Sequence, residues 1–328
     1  MENFPILHDV YQARARIRPV IRKTPLIAAP ELARVSGAAS VHLKLECLQH
    51  TGAFKARGAA NKILGLTEAQ KAKGVITFST GNHGKAVAFI AGRCGIKAVV
   101  CLSEHVAPYR VKMIESLGAE VSVNGRSQDE AEENYRTLAA RRGLVPVVPF
   151  DDPMIIAGQG TIALEILSPL PDTDMLLIPL SGGGLMSGMA MTAKSINPEI
   201  HVVGLSLERS PAMLRSVEAG KPVTVEEQDS IADSLLGGIG ADNRYTLAMV
   251  RTHVDEHLLL SEEEIADGMF HLFESHRLIV EGAAALGAAA LLHRKIDLTG
   301  KKVVTLLSGS SIDSAAYARL LQRRLLDP

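Results

Sequence analysis

Three short stretches of the 328-residue chain combine reactive side chains with small neighbours. The first, TGAFKARGAANKI over 51–63, sets Lys55 directly after Phe54. Thr51 is predicted to cap a helix whose apolar stripe runs through Ala56, Ala59, Ala60 and Ile63. Lys55 then falls in the first turn, where the positive end of the helix dipole disfavours a cation. A lysine held there among apolar groups has a lowered pKa and spends more time as a neutral amine. Such an amine is a nucleophile toward an aldehyde and a base toward an acidified C–H bond. A solvated surface lysine is the plainer alternative, and the conflict between residue and position argues against it.

The second stretch, PLSGGGLMSGM over 179–189, reads as a strand end, a glycine loop and a helix. Gly182, Gly183 and Gly184 let backbone N–H groups close on an anion, and the helix start adds positive potential. A phosphate monoester fits this loop, and so does a tight turn that binds nothing. No GKS or GKT follows, so it is not a P-loop, and the third glycine of a dinucleotide fingerprint is missing. The third stretch, STGNHG over 79–84, puts Ser79, Thr80, Asn82 and His83 on a glycine-flanked turn. It can offer hydroxyls and N–H groups to a carboxylate, or Ser79 and Thr80 can simply cap the next helix. A reactive lysine beside a phosphate cradle points to pyridoxal phosphate, held covalently by the lysine, as the simplest cofactor.

These loops need strands to end on and helices to open. From residue 74, GVITFS, IKAVVCL, AEVSVNG and LVPVVPF alternate with helical segments and predict a compact parallel α/β lobe. A second lobe follows, with strands MLLIPL, HVVGLSL and KKVVTLLS among apolar helices. The segment before 74 carries the run VHLKLE but is too short for its own domain. The expected division is therefore residues 1–73 plus 152–328 for the large domain, with 74–151 inserted. Residues 219–243 read as an irregular excursion. Ligands of open α/β sheets sit at the carboxyl ends of strands, which singles out STGNHG, PLSGGGL and LLSGSS.

Composition excludes several classes of function. Lys plus Arg total 35 against 36 for Asp plus Glu, scattered singly, which gives no case for nucleic acid or an anionic membrane as partner. Hydrophobic residues make up 47% and aromatic ones 4%, with no tryptophan, so the core must be aliphatic. Three cysteines, Cys47, Cys94 and Cys101, without a CxxC pair suit a reducing cytoplasm, with Cys94 and Cys101 as small core residues. The amino-terminal stretch lacks the pattern of a signal peptide, and Arg93 and Lys97 break the most apolar run. The expectation is a soluble cytoplasmic protein. His253 and His257 lie one helical turn apart, and with Asp255 and Glu256 between them a solvated helix face outweighs a metal site.

The blocks GAFKARGA, STGNHG, IAGQGTIALEI, SGGGLMSG, VEGAAALG and LLSGSSID, in this order and spacing, resemble fold-type II pyridoxal-phosphate enzymes over essentially the whole chain. The resemblance is to the threonine dehydratase and serine racemase branch, and within it to hydroxyectoine-utilisation dehydratases. It implies a two-domain, tryptophan synthase beta-like α/β fold, each lobe a parallel-rich sheet flanked by helices. It implies that Lys55 is the Schiff-base lysine, with Phe54 beside the cofactor ring and Asn82 on its 3′-oxygen. Gly182, Gly183, Gly184 and Leu185 match the phosphate cradle, and Ser308 the group facing the pyridine nitrogen. Ser79, Thr80 and His83 match the loop that holds the substrate carboxylate, and a homodimer is usual.

A neutral hydroxyl at Ser308 leaves the ring less electron-withdrawing than an aspartate would, which favours expulsion of a β-leaving group over transamination. The implied reaction has Lys55 take the Cα proton of a β-hydroxy amino acid and ends in a 2-oxo acid and ammonia. Thr80 stands where serine racemases carry their second base, which weakens racemisation without removing it. Ser206, Ser210 and Ala212 replace the acidic stretch of the racemase cation site, so no metal is expected. Ala53 departs from the usual SFK motif. A second carboxylate on the substrate would need a cation from among Arg110, Arg126, Arg209 and Arg244. Rival readings are β-replacement, which His83 disfavours, and a non-catalytic amino-acid-binding module.

Overall fold

The computed structural model describes residues 3–79, 81–104, 106, 108–125 and 128–326. Ten strands are present among the described residues: β1 (Leu26–Ala28), β2 (Ser40–Lys44), β3 (Val75–Phe78), β4 (Ala98–Leu102), β5 (Glu120–Val123), β6 (Val145–Pro146), β7 (Met175–Pro179), β8 (His201–Leu207), β9 (Glu256–Leu260) and β10 (Lys302–Leu306). They form a six-stranded sheet of order β1-β2-β10-β7-β8-β9 and a four-stranded sheet of order β5-β4-β3-β6. Only β1 pairs antiparallel, with β2; the other pairs are parallel.

Near-continuous apolar runs such as MLLIP, buried at every residue of β7, mark strands covered on both faces. Their alternation sorts the larger sheet into two cores. Leu177, Val203, Leu205 and Val303 pack toward helices Glu262–His276 and Gly282–Leu292. Leu176, Ile178, Val202 and Val304 pack toward Pro153–Leu167 and Gly184–Ile196. Small side chains allow this close approach: a Cβ at Gly287 would collide with Thr305 of β10. In the smaller sheet, Val75, Val100 and Leu102 meet helix Asn82–Arg93 through Ala86, Val87 and Ile90. The predicted stripe Ala56, Ala59, Ala60 and Ile63 is fully buried and joins that same core, so the Lys55–Leu64 helix touches the smaller lobe.

Two expectations are corrected. Thr51 does not cap the lysine helix: Phe54 stands at the cap, and the Thr51 hydroxyl donates to the Ala53 carbonyl at 3.4 Å. His253 ends the helix Thr246–His253 whereas His257 lies in β9, so no shared helical face exists. The segment EHLLL forms β9 with its first four residues only half-buried, which blurs the period-2 pattern in the sequence. Ala219 closes the helix Ala212–Ala219, and residues 220–243 are irregular apart from the short 3-10 turn Asp233–Leu235. Cys47 and Cys101 are buried, and burial pushes their thiols up to about 12 and about 11, the behaviour of inert core residues. Among the described residues no helix is long and apolar enough to cross a membrane, and no three metal-ligating side chains converge.

Candidate active site

The loop before Lys55 is held against the end of β10. Phe54 N–H donates to the Ser308 carbonyl at 3.0 Å, Ser310 N–H to Gly52 at 2.9 Å, and Ala53 bridges Gly309. Lys55 opens its helix directly after this pairing, and its Nζ donates to the Pro149 carbonyl at 2.9 Å. The ammonium lies 5.3 Å from the centre of the Phe54 ring. Burial pulls its pKa down to about 8, against the opposing charge of Glu281. At neutral pH roughly one amine in ten is then unprotonated, against far fewer than one in a thousand for an ordinary lysine.

Two residues on, Arg57 ties the helix down. Its guanidinium reaches Glu46 at 2.7 and 2.8 Å and Glu165 at 2.8 and 2.9 Å. Lys44 completes the group, donating to Glu165 at 2.6 Å. Bidentate, charge-assisted bonds of this kind fix both position and rotation of the helix start.

Asn82 opens the helix Asn82–Arg93 beyond β3, and its Nδ2 donates to both oxygens of Glu281 at 2.9 Å. That carboxylate fixes the amide orientation and leaves Asn82 Oδ1 buried without a partner among the described residues. His83 is buried, with Nε2 2.9 Å from the Val147 carbonyl and Nδ1 unpartnered. Facing a carbonyl, Nε2 carries the proton and Nδ1 is an open acceptor. Burial, reinforced by the nearby charge of Lys55, lowers the His83 pKa to about 3, so the ring stays neutral. Ser79 Oγ accepts from Gly81 N–H at 3.3 Å, which shapes the turn. Thr80 lies outside the described residues, as does Arg126.

The glycine loop after β7 has reasons for each glycine. A Cβ at Gly182 would strike the Phe150 ring, and one at Gly184 would lie 2.9 Å from the Phe150 backbone. Gly183 has φ +87° and caps the Gly184–Ile196 helix, and Leu185 is buried in the first turn. Segment 149–151 therefore joins the site: Pro149 receives Lys55, Phe150 packs on the loop, and Asp151 accepts three N–H groups of residues 244–246. Ser308 is buried just past β10 and makes no side-chain hydrogen bond among the described residues. Lys55, Phe54, Asn82, His83, Ser308 and the glycine loop are thus gathered where strands of both sheets end. Of the candidate arginines, Arg110 and Arg209 line a cavity of about 910 Å³ that reaches Glu281, while Arg244 is exposed and enters the site only through its backbone.

Residue reading alone passed over Glu281. It is buried, accepts from Asn82, from Ser234 at 3.1 Å and from Ser311 N–H at 3.0 Å, and burial raises its pKa. The signal available was a lone acidic residue heading the apolar run VEGAAALGAAAL.

Residues 17–309 match the family described as pyridoxal-phosphate dependent enzyme. The chain belongs to that family. As a pyridoxal-phosphate-dependent enzyme it is 44% identical, over 96% of its length and 95% of the relative, to a Sinorhizobium fredii protein provisionally named a threonine dehydratase. It is 38% identical to an L-threonine ammonia-lyase of Thermotoga maritima, over 98% of this chain and 79% of that one. Among solved structures it superposes on maize serine racemase with TM-score 0.91 at 31% identity, covering 99% of each chain. The fold is accordingly that of the fold-type II enzymes.

The residues of this pyridoxal-phosphate-dependent enzyme fit the cofactor. Asn82 Oδ1 and His83 Nδ1, without partners among the described residues, and the desolvated amine of Lys55 are polar groups that a bound cofactor would satisfy.

Proposed function

We propose that this pyridoxal-phosphate-dependent enzyme is an ammonia-lyase that removes water from a β-hydroxy amino acid. The organic product is a 2-oxo acid, and the amino group leaves as ammonia. The observation that carries the reading is a proton-accepting lysine, with pKa lowered to about 8, gathered in one site with a neutral serine rather than a carboxylate beyond β10. Pyridoxal phosphate, when bound, supplies an electron sink that acidifies the Cα–H bond.

The chain's own residues do the rest. Lys55 holds the cofactor and then takes the Cα proton at Nζ. Phe54 walls one side, and Asn82 Oδ1 supplies an acceptor held in place by Glu281. Gly182, Gly183, Gly184 and Leu185 present N–H groups at the start of the Gly184–Ile196 helix to the phosphate. Ser308 offers a neutral hydroxyl to the ring nitrogen, which limits charge delocalisation and favours loss of the β-hydroxyl. Ser79 and Thr80 orient the substrate carboxylate, and the neutral His83, with Nε2 committed to the Val147 carbonyl, shapes their loop and offers an acceptor at Nδ1. Residues 74–151 form a smaller domain inserted into 1–73 plus 152–328, and its closure excludes water. The enzyme works as a cytoplasmic homodimer. Its preferred substrates are a hydroxyectoine-derived amino acid or 3-hydroxyaspartate, ahead of threonine and serine.

The similarity to maize serine racemase supports one second reading, inversion at Cα. A panel of β-hydroxy amino acids, scored for 2-oxo acid and ammonia and separately for inversion, tests both. Elimination is expected to dominate. Inversion without 2-oxo acid would sink the lyase reading.

A further inference from the structure

The amide of Asn82 has a donor end and an acceptor end, and Glu281 claims the donor end. Nδ2 donates to both carboxylate oxygens at 2.9 Å, while Oδ1 is buried without a partner among the described residues. Exchanging the two ends would set the amide oxygen against two carboxylate oxygens with no hydrogen between them. The carboxylate also accepts from Ser311 N–H at 3.0 Å and from the Ser234 hydroxyl at 3.1 Å. Neither Nδ2 nor a backbone N–H can accept a proton, so at Asn82 and Ser311 the carboxylate is the acceptor.

Glu281 is itself fixed against the loop beyond β10. Its N–H donates to the Gly309 carbonyl at 3.2 Å, and a Cβ on Gly309 would stand 2.7 Å from its Oε1. Gly309 follows Ser308 and bridges Ala53, two residues before Lys55. Lys85, three residues past Asn82 on the same helix, adds a second tie to this loop by donating to Ser311 Oγ at 3.2 Å. The charge of Glu281 is felt at Lys55 as well as at Lys85. Asn82 is thus fixed within the Lys55 site, with its oxygen rather than its NH₂ left to meet a ligand.

We propose that Glu281 is a positioning residue that, acting through Asn82, sets the protonation of the cofactor's ring oxygen. An acceptor at Oδ1 calls for a donor opposite, so the ring oxygen is held as a hydroxyl; an NH₂ there would favour its anion. Ser308 meets the ring nitrogen with a neutral hydroxyl, and a protonated ring oxygen likewise keeps charge off the ring. This assignment rests on the reading that Asn82 faces the ring oxygen.

Pyridoxal phosphate held through a lysine absorbs in the near ultraviolet when its ring oxygen carries a proton and in the visible when it does not, so a spectrum reports the balance without turnover. After gel filtration at neutral pH, the wild-type holoenzyme is expected to show a near-ultraviolet cofactor band beside the visible one. In Glu281→Gln the new amide can donate to Asn82 Oδ1 and let Nδ2 turn to the ring. The visible to near-ultraviolet ratio should then rise roughly three- to tenfold, the scale of one neutral hydrogen bond. Glu281→Asp, which keeps a carboxylate, should restore most of the wild-type ratio. In an Asn82→Ala background, Glu281→Gln should change the ratio by less than about twofold. A wild type with the visible band alone overturns the assignment, whether or not the variants fold. An unchanged ratio in Glu281→Gln, or an equal rise in the Asn82→Ala background, overturns it too. Wild-type protein that takes up no pyridoxal phosphate defeats the cofactor site and this assignment together, whereas failure to release a 2-oxo acid defeats only the lyase reading.

Discussion

Two residues apart on one helix, Lys55 and Arg57 occupy opposite electrostatic settings. Around Arg57 the buried charges answer one another: Glu46, Glu165 and Lys44 are all within hydrogen-bond distance of a partner. Around Lys55, acceptors on Asn82 and His83 have no partner among the described residues, and the amine itself donates to the Pro149 carbonyl. Buried polar groups are normally paired, so a closed cluster holds structure and an open one awaits a ligand. The contrast teaches that the rigid half exists to present the unsatisfied half. Arg57 anchors the helix start from which Lys55 projects.

The comparison can be broken at several places. The largest effect is expected at the open end: Lys55→Ala should cost about 10⁴-fold in kcat and abolish the yellow colour expected of protein that holds pyridoxal phosphate through a lysine, with little change in thermal midpoint. Colour and turnover in that variant would remove Lys55 from the chemistry. Arg57→Met at the closed end should instead cost about 3–5 kcal/mol of stability, read by chemical denaturation, because it strands the buried Glu46 and leaves Glu165 with Lys44 alone. A loss below about 1 kcal/mol would show that the cluster does not hold the helix.

Titration sharpens the difference further. His83 has a folded pKa of about 3 against 6.5 for the free side chain, so below pH 6.5 the unfolded chain takes up a proton that the folded one refuses. Stability should fall by about 1.4 kcal/mol per pH unit from this group as pH drops from 6.5 toward 3, and His83→Gln should remove that slope. For cofactor-free protein, the rate of pyridoxal-phosphate capture should rise about tenfold per pH unit and level off near pH 8, where Lys55 becomes neutral. A rise continuing toward pH 10 would mean an ordinary lysine. The smallest effect is expected far from both clusters. Glu68, paired with Lys71 at 2.8 Å on an exposed turn, should lose at most about 0.5 kcal/mol when replaced by alanine.

Much of this molecule is written locally. Strand runs such as MLLIPL, and glycine turns at strand ends, are recognisable because their burial and backbone demands lie within a few residues. Lys55 is conspicuous for the same reason, a charge set in a tract of alanine and glycine. Glu281 and Lys85 are not. The bond from Asn82 to Glu281 spans 199 residues and that from Lys85 to Ser311 spans 226, and nothing in either neighbourhood announces the partner. The strand EHLLL escaped because only its last residue is fully buried.

By itself, then, the sequence determined which loops could bind, which lysine could react and how the apolar runs alternate, since propensity and side-chain chemistry act over short range. Tertiary structure decided which acceptors stay unpaired, how far burial moves Lys55 and His83, and where Lys85 points its charge. Those properties depend on desolvation and on partners that only the folded chain brings together.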